Sequence, residues 1–332
     1  MLWLKLPFRH GAITKLFSQT LYITSYPRLQ PVRSLTTLSF LWRLIISRER
    51  FGILWARGGL GNQLFQIAAL SFFSKTLDFS PLIHPCNLRQ DRDLSKPQYR
   101  ALGVEGLFPA GRQKIDPSPT LELILRIIYG LYSRYFLSTI YNESKLLNSS
   151  SSSMPRLFFI QDYFQSQEYP DQLNDKSLKN LITNLPDSKS QSSLYNNNSG
   201  RNPAMIHIRL TDSHSKATDK SRFLKMEIIL NKLKFTKKIS ELHIYSDDLT
   251  VAKELLKDFF VLIPKHYPEE FETFSSSVLL ARFIQYDCIM GSNSTLSWWA
   301  CYLRTRLSST EAIILADFDQ KLMRSNWHSI KT

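Results

Sequence analysis

Cysteine is scarce in this chain of 332 residues: only Cys86, Cys288 and Cys301 occur, with no CxxC pair and no grouping with histidine. That usage argues against a disulfide framework and a structural zinc site, and it fits a reducing compartment with Cys288 and Cys301 as packing residues. A long apolar run is also missing. The best stretch, Leu35–Ile46, is interrupted by Arg43, whereas a membrane span needs about 20 mostly apolar residues. No clean apolar segment with a small-residue cleavage site marks a secretory leader, and no internal repeat is visible. What is present is core-forming material. Apolar residues make up 43% and aromatics 12% of the chain, enough to bury a sizeable core over two domains of ordinary size.

Acidic residues are few against basic ones, 28 to 42, for a net charge of +14. Half of that excess lies in residues 1–50, where eight basic residues face the single acid Glu49. Such an arm suits anionic lipid headgroups, at about 1 kcal/mol per basic residue near the surface. It equally suits non-specific nucleic-acid binding or a solvated extension. No nucleic-acid recognition motif accompanies it, so nucleic acid is not an expected partner. The expectation is a cytoplasmic protein, peripheral to the membrane through residues 1–50.

Two low-complexity stretches, Asn148–Ser153 and Asp187–Gly200, read as loops. The second suggests the boundary between an N-terminal α/β domain, 51–195, and a C-terminal domain, 196–332. After it, strands and helices alternate. The strands are Ala204–Arg209, Leu242–Tyr245, Phe259–Ile263, Cys288–Met290 and Ala312–Leu315, the last closing the series. The helices are Ser221–Leu233, Leu249–Asp258, Val278–Tyr286 and Ser297–Arg304. That alternation predicts a parallel sheet with crossover helices and ligands at the carboxyl ends of its strands. Earlier in the chain, Phe51–Trp55 reads as a strand, Gly58–Gly61 as a turn, and Gln63–Lys75 as a helix. Leu121–Leu137 reads as a helix and Leu157–Ile160 as a buried strand.

Chemistry-bearing residues follow these strands. His207 and Arg209 alternate with Ile206 and Ile208 and so share one face. Arg209 there forks onto a diphosphate, worth roughly 1.5–3 kcal/mol, or is an edge-strand arginine paired with Asp212. Asp247 and Asp248 bind ribose hydroxyls or a cation, or cap the next helix. The run Gly291–Thr295 opens a helix with hydroxyls and N–H groups suited to an anion, and Trp298 and Trp299 after it read as core. The segment Gly58-Gly59-Leu60-Gly61-Asn62-Gln63 follows a strand and opens a helix. Leu64 replaces the third glycine of a dinucleotide fingerprint, and no P-loop lysine follows. Its glycines let a ligand approach the backbone, and Asn62 and Gln63 supply amides. Asp91-Arg-Asp93 and Asp317-Phe-Asp319 spell DxD, a metal-holding motif elsewhere, and read here as surface loops.

Taken together, GGLGNQLFQ at 58–66, DYFQS at 162–166, HIRLTD at 207–212, YSDD at 245–248 and SNSTLSWW at 292–299 resemble the α-1,2-fucosyltransferases of glycosyltransferase family 11. The resemblance covers about residues 52–305, and GNQLFQ with SNSTLSWW is its most specific pair. It implies an α/β fold of the GT-B type, two Rossmann-like domains around a cleft. It implies inverting transfer of L-fucose from GDP-fucose to a galactose hydroxyl of a glycan acceptor, with no cofactor and no metal. By position, Arg209 matches the arginine that binds the donor β-phosphate and stabilises departing GDP. His207 lies beside the nucleotide, Asn62 near the reacting fucose, and Ser292, Asn293, Ser294 and Thr295 form the phosphate turn. Asp212 and Asp247 are the candidates for a general base. The pattern departs at Leu210, where the family carries a second arginine, at Thr211 and Ser213, and in the lack of an acid between Phe274 and Tyr286. Those departures leave two alternatives, a non-catalytic nucleotide- or sugar-binding descendant and a glycosyltransferase with another nucleotide sugar.

Overall fold

The computed structural model describes residues 49–84, 125, 127–131, 140–185, 202–210, 220–268, 275–291, 293–307, 312–316 and 318–330. They belong to the compact unit formed by Leu35–Thr332. The first half carries β1 (Phe51–Trp55), α1 (Leu60–Thr76), β2 (Ser80–His84), β3 (Ile140–Tyr141), α2 (Glu143–Leu147), β4 (Leu157–Ile160), α3 (Glu168–Asp171) and α4 (Asp175–Thr183). The second carries β5 (Asn202–Ile208), α5 (Lys220–Lys237), β6 (Ile239–Ser246), α6 (Leu249–Leu255), β7 (Lys265–His266), α7 (Ser276–Phe283), β8 (Cys288–Gly291), α8 (Thr295–Leu307), β9 (Ala312–Ala316) and β10 (His328–Ile330).

The fold is α/β with two Rossmann-like sheets, ordered β2-β1-β4-β3 and β10-β9-β8-β5-β6-β7. Every pairing in both sheets is parallel. Strand β1 is buried throughout, FGILW, as a central strand covered on both faces must be. Its edge neighbour β2 carries Pro81, tolerated where one side of a strand needs no N–H donor.

Strand β5 sorts its residues by parity. Ile206, Ile208 and Leu210 enter one apolar cluster with Phe223, Met226 and Leu230 of α5. Met205, on the opposite face, enters a second cluster that also holds Leu64 and Phe65 of α1 and Trp298 and Trp299 of α8. That second cluster joins the halves. Phe65 packs on Trp298 at 4.6 Å and on Trp299 at 5.3 Å between ring centres. The Trp298 indole donates to Leu322 O at 2.6 Å, and Tyr302 donates to Pro170 O at 2.8 Å. Arg306 pairs with Asp175 at 2.5 Å, and Arg324 pairs with Asp171. The tryptophans are core, as is Cys301, and Cys288 is buried under the other face.

Four expectations need correction. The run Phe259–Ile263 is a turn, and the strand is β7 just beyond it. Phe260 and Ile263 are buried while Val261 and Leu262 are 69% and 73% exposed, a spacing of three that a strand cannot produce. Phe260 sits at φ 54°, with its N–H donating to Glu227 at 2.7 Å. The series does not close at Leu315, because β10 pairs with β9. The segment Asn148–Ser153 is not all loop: Ser151–Ser153 is a turn of 3₁₀ helix closed by a Ser150–Ser153 capping box. Helix α1 starts at Leu60, so the glycine turn extends into its first turn. Of the expected helix Leu121–Leu137, residues 125 and 127–131 are described, and all are helical. The proposed domain boundary, residues 1–48, Cys86, Asp91, Asp93 and Asp317 lie outside the described residues.

Candidate active site

Strands β1 and β8 each end in a short loop that turns into a helix, and the two helix starts touch. A Cβ built on Gly61 would fall 2.4 Å from the carbonyl carbon of Thr295 and 2.5 Å from the nitrogen of Leu296. Only glycine lets the two backbones approach this closely. The expectation that this glycine opens the backbone to a ligand is therefore corrected: it opens it to the other motif. Gly58 is required for a second reason, its φ of 78°. Gly59, the residue before α1, has nothing within 4 Å of its would-be Cβ and is the open position of the three.

Two helix N-termini side by side concentrate unpaired N–H groups and the positive ends of two helix dipoles. Neither helix has an acid in its first turn to offset them. At the start of α8, Ser294 is 2% exposed, and its Oγ has no hydrogen-bond partner among the described residues. A buried hydroxyl left in that state costs about 1–3 kcal/mol. Asn293 is exposed beside it, and Thr295 turns its Oγ1 toward Gly61, 2.6 Å from the built Cβ. Ser292 lies outside the described residues.

His207 reaches the same helix. It sits at the carboxyl end of β5, a central strand between β8 and β6, which corrects the edge-strand reading of this motif. Its Nδ1 shares a 2.7 Å hydrogen bond with Ser297 Oγ in the first turn of α8. Burial lowers the His207 pKa to about 4, with Arg209 adding to the fall and Asp247 opposing it. The ring is neutral at pH 7. Arg209, half-buried, follows just past the end of β5.

Asp247 accepts the Leu210 N–H at 2.7 Å, tying the loop after β5 to the loop after β6. Asp248 is the helix cap, accepting from Val251 N at 3.0 Å. Leu210 is fully buried in the cluster beneath β5. Where a second arginine was expected, the chain places a core residue that packs with Ile206 and Ile208. Asp212 lies outside the described residues.

The glycine loop is held by side chains that the sequence reading assigned elsewhere or missed. Gln63 Nε2 donates to Gly58 O at 2.9 Å, so its amide is spent inside the loop, a correction to its expected role as a ligand donor. Gln66 accepts from Arg57 N at 3.1 Å and donates to Arg57 O at 3.0 Å. Asn62 Oδ1 accepts from Gln165 Nε2 at 2.9 Å, joining GNQ to DYFQS. Ser297, Gln66, Gln165, Arg57 and Tyr163 all stood within the motifs or beside them. What identifies Ser297 is its place in the first turn of a helix that opens on hydroxyls.

Asp319 of the second DxD caps the 3₁₀ turn Gln320–Leu322 and is exposed, as a surface loop should be. Among the described residues no three His, Cys, Asp or Glu side chains gather to hold a metal, and no helix is long and apolar enough to cross a membrane.

No family model matches the chain, and no curated protein matches it. Solved structures similar to it include three glycosyltransferases. One is fucosyltransferase NodZ from Bradyrhizobium, at 14% identity, covering 77% of this chain and 93% of that one with a TM-score of 0.46. Another is a variant of Arabidopsis thaliana FUT1 in complex with GDP, at 14% identity, 90% and 78% coverage and a TM-score of 0.44. The third is the glycosyl transferase family 9 protein from Veillonella parvula, at 11% identity, 86% and 85% coverage and a TM-score of 0.43.

Proposed function

We propose that this chain is a GDP-fucose-dependent fucosyltransferase of the α-1,2 type, acting on a galactose hydroxyl of a glycan. The observation that supports it most is the meeting of GGLGNQ and SNST backbone to backbone at Gly61, beside a buried Ser294 hydroxyl that lacks a partner among the described residues. A diphosphate supplies the acceptor atoms and the negative charge that this place is missing.

In the proposed mechanism the Ser294 hydroxyl and the N–H groups opening α8 hold the β-phosphate. Arg209 neutralises the charge that builds on GDP as the glycosidic bond breaks. These donors are fixed before the reaction, so little reorganisation opposes it. Neutral His207, held by Ser297, shapes the wall beside the nucleotide without adding a second charge. Asp247 acts by tying the loop after β5, which carries Arg209, and this use competes with a role as general base. Asn62 faces the transferring sugar. The proposal uses no metal.

Incubation with GDP-fucose and lactose tests this. The expected result is GDP release, EDTA-insensitive, and an α-1,2-linked fucosyl product by NMR, its α configuration being what inversion of the β-linked donor gives. Arg209→Ala lowers kcat/KM by about 10²–10³ while the fold persists by circular dichroism. Turnover unchanged in that variant, or a donor other than GDP-fucose preferred in a nucleotide-sugar panel, contradicts the reading.

A further inference from the structure

The DYFQS motif has no part in the mechanism so far, yet the structure builds it with care. Asp162 Oδ2 accepts from Glu143 N at 3.0 Å and its Oδ1 from Tyr163 N at 2.7 Å. Tyr169 donates to Glu143 at 2.5 Å, fixing the base of the loop. Phe164 adopts φ 52° and is 1% exposed, a strained plug in the core. Its two neighbours diverge from it. Gln165 turns in to Asn62, and Tyr163 turns out, 39% exposed.

Tyr163 is exposed but held. The Arg57 guanidinium lies 4.3 Å from its ring centre, and the Arg57 backbone is clamped by Gln66. Its Cε1 would lie 3.2 Å from a Cβ on Gly58, so the missing side chain there makes room for the ring. The ring therefore stands at the opening of α1, on the loop whose other end meets Thr295. An aromatic side chain kept rigid and partly bare beside polar amides has the character of a recognition surface rather than of core.

We propose that Tyr163, backed by Arg57, is the ledge on which a pyranose ring of the glycan acceptor stacks its C–H face, and that the Asn62–Gln165 pair meets that sugar's hydroxyls. This rests on the glycosyl-transfer reading above. The bond between the two amides leaves Asn62 Nδ2 as donor and Gln165 Oε1 as acceptor toward the sugar. A phenyl ring suffices for the stacking, because the hydroxyl of Tyr163 takes no part.

The test is a glycan array carrying β-galactosides, probed with the full chain at saturating GDP, with GDP affinity measured separately by calorimetry. Expected is galactoside binding by the wild type, retained in Tyr163→Phe and weakened about tenfold or more in Tyr163→Ala, with GDP affinity within twofold in all three. A wild type that fails to bind GDP overturns the donor reading. A wild type that binds GDP and no glycan overturns the ledge. So does a Tyr163→Ala chain that binds glycans like the wild type, or one that loses GDP in equal measure.

Discussion

The two helix openings that meet at Gly61 are built from the same device, a strand, a tight loop and a helix, yet they are finished differently. At the start of α1 the side-chain amides are consumed: Gln63 by Gly58, Gln66 by both backbone groups of Arg57, and Asn62 in part by Gln165. At the start of α8 a buried hydroxyl is left over, and the nearest imidazole is neutral. The first opening is scaffold for the most part, with only the Asn62–Gln165 pair keeping amide atoms over. In the proposed reading the second is the receptor for the donor diphosphate. Similar motifs in a sequence need not do similar work, and polar satisfaction tells them apart.

The largest effect that sharpens this contrast is a pH dependence on the α8 side. His207 titrates near 4 in the folded chain and near 6.5 unfolded. Between those values the unfolded chain binds more protons, so stability rises with pH there and is lost as pH falls from about 6.5 to about 4. The loss from this one group amounts to about 3 kcal/mol. Urea unfolding across that window shows wild type losing about that much more than His207→Gln, and parallel curves for the two chains break the account.

Next comes the α1 side. Gly61→Ala forces a methyl into the backbone of Thr295 and costs about 1–3 kcal/mol as an overpacked contact, read as a lower midpoint in thermal melting. A midpoint equal to wild type means the two openings do not abut. The smallest effect separates binding from stability. Ser294→Ala removes a hydroxyl that has no partner among the described residues, so melting is unchanged or slightly higher, while GDP affinity in calorimetry falls about tenfold. A variant that melts lower and binds GDP normally reverses the assignment of receptor and scaffold.

Much of this was legible in the sequence because the elements announced themselves locally. FGILW and LFFI are fully apolar runs of strand length, and the face-sharing of His207 and Arg209 followed from a period of two. The failures were those of non-local or ambiguous signals. The apolar run Phe259–Ile263 suits a strand until Phe260 takes a left-handed turn. Strand β2 was hidden by Pro81, harmless only because β2 lies at an edge. Strand β3, two residues long, had no pattern to show. The role of Gly61 could not be read at all, since its partner lies more than 230 positions away in the chain and only the fold supplies it. Leu210 looked like a defect and is a core residue, packed in the cluster with Ile206 and Ile208.

The most direct measurement is a crystal structure of the full chain with GDP. The β-phosphate is expected within hydrogen-bond reach of Ser294 Oγ and the first N–H groups of α8, with the Arg209 guanidinium forked onto it. A β-phosphate bound away from that helix start, with Ser294 still unpartnered, contradicts the account.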